Sequence, residues 1–179
     1  MRWPSCGPVS NEKRPGTILS KFAQRGILMK PKKMGINRFV SQVLRAKRRN
    51  SRWSWGAVDR VTTWVFLQLW DDHFKTIRGA KHIAVGWDNP SHNSPGLNER
   101  HAHLTLIKNG EKGFGVVCTR RTPDRQQRGE IADFKKAFVL RLGPMTKKDG
   151  CTYARINGRI PIAEIVQERK RHAKRKKPK

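Results

Sequence analysis

The chain has 179 residues, 40 of them Lys or Arg against 13 Asp or Glu, and a net charge of +27; a folded protein gains nothing internally from such self-repulsion, so a polyanionic partner, nucleic acid first, is expected to cancel it. Hydrophobic residues make up 36%, below the roughly 45–50% of globular chains, and with no run near the ~18 apolar residues of a membrane span and no charged-then-apolar leader, neither a transmembrane nor a secreted protein is expected. Three cysteines, Cys6, Cys118 and Cys151, without CxxC spacing argue against a disulfide framework and for an intracellular, reducing compartment, cytoplasmic or nuclear.

Residues 1–16 hold Pro4, Gly7, Pro8, Pro15 and Gly16 and read as an irregular arm. A single compact α+β domain is expected over 17–168, with helices first and a mostly antiparallel sheet after them. Thr17 caps a short helix over 17–26, stopped by Gly26. A second helix over 34–49 places Ile36, Phe39, Val40, Val43 and Leu44 on one stripe. A third, over 54–78, is apolar nearly all round at its middle. Residues 53–100 are neutral overall and contain Trp53, Trp55, Trp64, Trp70 and Trp87. That window reads as the core, and the third helix as a face for homo-oligomer formation.

From His82 the apolar period shifts toward two. Strands are expected at 83–87, 101–107, 113–119, 138–142, 152–156 and 159–162, with Asn109–Gly110 and Asn157–Gly158 as turns. Residues 88–100 read as a loop and 123–136 as a segment holding a short helix. A last helix begins at Ile162 and runs out into a basic tail over 169–179.

Phosphate contacts are expected from clustered cations on exposed backbone. The first cluster is Arg38, Arg45, Lys47, Arg48, Arg49 and Arg52, followed directly by Trp53 and Trp55, a basic-plus-aromatic mixture suited to stacking unpaired bases. The second is Arg120, Arg121, Arg125 and Arg128. The third is the tail, Arg169, Lys170, Arg171, Lys174, Arg175, Lys176 and Lys177, which also has the form of a nuclear import signal.

His101-Ala102-His103 is the one sharp chemical pattern. On a strand, positions i and i+2 face one side, so two imidazoles there hold a divalent metal such as Mg²⁺ or Mn²⁺ between them. The pattern resembles the His-hydrophobic-His motif of HUH endonucleases, which attack a DNA phosphate with a tyrosine. That resemblance implies a nuclease with Tyr153, the one tyrosine, as nucleophile. Trp87 stands where a relaxase would place a third histidine, and Tyr153 falls on an expected strand.

The leading expectation is therefore a non-enzymatic nucleic-acid-binding protein, RNA more than DNA, of nucleocapsid or ribonucleoprotein-component type, with no cofactor. The metal-dependent nuclease is the alternative.

Overall fold

A computed structural model of the chain describes residues 34–87, 94–122 and 130–175. Its centre is an eight-stranded sheet. The strands are β1 (Gly56–Val58), β2 (Val65–Trp70), β3 (Phe74–Ile77), β4 (Ala80–Trp87), β5 (Gly113–Arg120), β6 (Ile131–Phe134), β7 (Phe138–Lys148) and β8 (Cys151–Pro161). They are ordered β1-β2-β5-β7-β8-β4-β3, and β6 pairs β5 beyond the point where β7 leaves it. The β2–β5 pair is parallel and the other pairs are antiparallel. The helices among the described residues are α1 (Ile36–Arg38), continued by a π turn over Phe39–Val43, α2 (Pro95–Lys108) and α3 (Ile162–Arg175).

Alternation along the strands feeds two apolar clusters. Val65, Leu67 and Leu69 of β2 meet Ile83 and Val85 of β4, Val117 of β5, Leu140 and Leu142 of β7 and Ala154 of β8, together with Leu104 of α2. Strands β2 and β4 are not neighbours in the hydrogen-bonded order yet touch, so the sheet curls on itself, and α2 lies against β1, β2 and β4. On the other face, Trp64, Phe66, Phe114, Val116, Val139 and Ile160 pack under Phe39, Val40 and Leu44 and under Ile165 of α3.

The expected order of helices followed by sheet is corrected at several places. Residues 54–78, read as a helix, form β1, β2 and β3. The cause is burial on both faces: a central strand loses its polar alternation and shows the same continuous apolar run as a buried helix. The segment expected to offer a homo-oligomer face is therefore strands, not a helix. The expected helix over 34–49 is helical only across 36–43, and Lys47 instead bridges Val58. The strand expected over 101–107 and residues 95–100 of the loop expected over 88–100 together form α2.

Of the segment 123–136 expected to hold a short helix, Ile131–Phe134 is strand β6 and 123–129 lie outside the described residues, and the strands expected over 152–156 and 159–162 fuse into β8. Asn157–Gly158 makes no turn and sits at a register shift within β8; the turn is Asp149–Gly150, with positive φ at both residues (51° and 70°), the form a two-residue hairpin requires. The expected C-terminal tail is helix α3 as far as Arg175. The expected arm over 1–16 and helix over 17–26 lie outside the described residues. No helix among the described residues is long and apolar enough to cross a membrane.

Candidate nucleic-acid interface

Ser94 caps α2 by accepting from the backbone N–H of Leu97 (3.3 Å), and Pro95 opens the first turn. Gly96 then lets the helix press on the segment before β1. A Cβ there would stand 2.9 Å from the Trp53 carbonyl oxygen and 3.4 Å from the Trp55 indole. Four residues on, and so on the same face of the helix, Arg100 reaches across the end of the β1–β2 pair. Its Nη2 donates to the backbone carbonyls of Trp55 (2.7 Å) and Gln68 (2.9 Å).

Arg100 is only 4% exposed, and its Nε and Nη1 have no hydrogen-bond partner among the described residues. A buried guanidinium normally comes with a counter-charge. Here the adjacent Glu99 accepts from the Ser54 hydroxyl at Oε1 (3.0 Å), and its Oε2 has no partner among the described residues. Burial brings the Arg100 guanidinium down to about 10, against the pull of Glu99 and Cys118. Burial likewise lowers Arg48, whose guanidinium lies against the Gln68 side-chain amide and donates to Asn37 Oδ1.

Arg48, Arg100, Ser54, Gln68 and Asn37 line a cleft of about 710 Å³ that also takes in Arg52, Arg120, Trp55, Trp70 and Trp87. Trp55 and Trp87 are in ring contact, with centroids 5.4 Å apart at 34°. The Arg120 guanidinium lies 4.2 Å from the Trp70 ring centroid, and its Nε is 3.5 Å from Asp72 Oδ2. Asp71, Asp72 and His73, expected on the third helix, form the turn after β2, where Asp71 accepts from Thr119 (2.5 Å). The cleft therefore joins four guanidiniums to three indoles. Its chemistry suits an acceptor-rich, flat, anionic ligand.

Of the first expected cluster, Arg48 and Arg52 line this cleft with Trp55. Arg38 is exposed and bonds Gln42, and Arg45, Lys47 and Arg49 are exposed. In the second cluster Arg120 reaches the cleft, Arg121 pairs with Glu130 (3.3 Å), and Arg125 and Arg128 lie outside the described residues. In the third, Arg169 is a structural residue, not a tail residue. It grips the buried Asp59 through Nε (2.5 Å) and Nη2 (3.2 Å), where Asp59 also accepts from Val61 N–H and the Thr62 hydroxyl. Lys170, Arg171, Lys174 and Arg175 are exposed on α3, away from the side that buries Ile165; Lys176 and Lys177 are outside the described residues.

The nuclease pattern is not assembled. His101 and His103 sit on a helix, where neighbours two apart point away from one another. His101 is exposed, whereas His103 is 6% exposed and its Nδ1 has no partner among the described residues. Burial, then Arg100, depresses the His103 imidazole to about 4. No group of three His, Cys, Asp or Glu that could hold a metal occurs among the described residues. Tyr153 is on β8 beneath Lys75, outside the cleft, and burial raises its phenol, the opposite of what a nucleophile needs.

Sequence reasoning missed Arg100, Trp70 and Trp87 as cleft residues. The available signal was Ser94-Pro95 before Arg100 and Asn109–Gly110 after it, a helix start and stop that outrank a six-residue alternation. Comparison of the chain with family models, with curated proteins and with solved structures found no match, so the meaning of the cleft rests on its own chemistry.

Proposed function

We propose that the protein binds nucleic acid through its cationic surfaces, single-stranded RNA in preference to duplex DNA, as a binding component of nucleocapsid or ribonucleoprotein type. The observation that carries this reading is the cleft, where Arg48, Arg52, Arg100 and Arg120 stand with Trp55, Trp70 and Trp87. Guanidiniums meet phosphate and base acceptors, and indoles stack on bases that are not already stacked in a duplex. Sequence-reading proteins engage RNA mostly at such unpaired bases. The exposed cations of α3 add phosphate contacts that carry no sequence information.

Fluorescence anisotropy with matched single-stranded RNA, single-stranded DNA and duplex DNA at one salt concentration tests the proposal. Single-stranded RNA is expected to bind tightest and the duplex weakest. Equal binding to all three would remove the single-strand preference, and absence of binding at low salt would remove the function. Replacing Lys170, Arg171, Lys174 and Arg175 together by Gln is expected to weaken all three alike.

A further inference from the structure

We infer that the cleft receives one unstacked nucleotide, its base lying on the Trp55–Trp87 indoles with its acceptor edge turned toward Arg48 and Arg100. The inference rests on the nucleic-acid reading and assigns that reading a particular pocket. Three observations carry it.

The first is an excess of positive charge. Arg100 is buried and Arg48 half-buried, Arg48 Nε and Arg100 Nε and Nη1 have no partner among the described residues, and the carboxylate beside them, Glu99, which accepts from Ser54, offsets part of the two charges. A positive field of this kind in a low-dielectric site is a standing attraction for acceptor oxygens and nitrogens. The second is aromatic surface at the mouth. Trp87 is 36% exposed despite its contact with Trp55. The indoles are too close to admit a ring between them, so a base stacks on the open face of the pair, in the offset geometry aromatic rings prefer.

The third is size. About 710 Å³ falls within the usual range for a site enclosing one small organic ligand, and a duplex cannot enter it without extruding a base. At the rim, Arg52 is exposed and Arg120 is fixed between Trp70 and Asp72. The sugar-phosphate of the bound nucleotide runs past these two. Arg100 forms the floor of the cleft: it is too buried to act as a surface cation, and its bonds to Trp55 and Gln68 hold the walls in place.

The test is a single-stranded oligonucleotide with 2-aminopurine at one internal position, titrated with the full chain at low salt. Stacking on an indole is expected to quench the probe. Trp87→Ala is expected to weaken binding about five- to a hundredfold, the usual effect of removing one stacking partner, and to abolish the quench; Trp87→Phe is expected to restore both in part. An unchanged thermal midpoint shows the variants folded.

Mononucleotides form a second arm. Saturable quenching of indole fluorescence by a free mononucleotide that Trp87→Ala removes supports the pocket and makes a free nucleotide its ligand. Quenching by the oligonucleotide alone supports it with a chain nucleotide as ligand. Salt-sensitive oligonucleotide binding that neither quenches the probe nor responds to Trp87→Ala overturns the pocket while leaving the nucleic-acid reading standing. No binding to any oligonucleotide, with mononucleotide binding intact, overturns that reading and leaves the pocket. Inorganic polyphosphate that matches the oligonucleotide in affinity in both wild type and Trp87→Ala overturns base recognition.

Discussion

Ionisable residues hidden in the interior set how the stability of this molecule responds to substitution and to pH. Arg169 and Asp59 form a closed pair in which the carboxylate, 1% exposed, is answered by a two-pronged guanidinium. Arg169→Ala is expected to destabilise the fold by about 3–5 kcal/mol, because it strands a buried carboxylate; urea denaturation measures this, and a change below about 1 kcal/mol would mean the pair is dispensable. His103 is the reverse case, a base kept neutral. Its folded value of about 4 lies below its ordinary 6.5, so between those values the unfolded chain binds a proton the folded chain refuses. Stability is then fully present above pH 6.5 and falls as pH drops toward 4. His103→Gln is expected to flatten that part of the stability–pH curve, and an unaltered slope would assign the dependence to other groups. Neither role was legible in the sequence. Arg169 stands in a basic run that looks like a solvated tail, and nothing local marks Asp59 as its partner 110 residues away.

At the scale of elements, β4, β5, β7 and β8 were legible, and β1, β2, β3 and β6 were not. Strands β4, β5, β7 and β8 keep enough alternation and turn chemistry to be read, and α3 starts where the apolar spacing places it. Strand β2 is buried on both faces and loses its period. Helix α2 buries Glu99, Arg100 and His103 beside Leu97 and Leu104, so its inward face is not an apolar stripe. What specifies α2 is its caps and its close approaches. Gly56→Ala is therefore expected to be severe, since the new Cβ would meet His103 Nδ1 at 2.6 Å. Gly150→Ala, at φ +70° with open space around it, is expected to cost only the ~1–2 kcal/mol of placing a side chain in the left-handed region. Thermal melts of the two variants rank them; a milder effect at Gly56 than at Gly150 would show that α2 is free to shift away from β1.

The whole molecule carries +27; among the described residues, part of its positive charge lies exposed on α3 and part lines a cleft whose indole walls come from the neutral window, which also supplies part of the core. Composition suggested the partner class that we propose, and the cluster ending in Trp53–Trp55 holds Arg48, Arg52 and Trp55, which line the cleft. The rest of the cleft was hidden because β2, β4, β5 and α2 meet there only after the sheet has curled. The most direct check is the observed binding constant for a single-stranded oligonucleotide as a function of salt. Phosphate-led binding through at least about five cations predicts a log–log slope of about −3.5 or steeper, reduced when Lys170, Arg171, Lys174 and Arg175 are neutralised. A flat salt response would contradict the account.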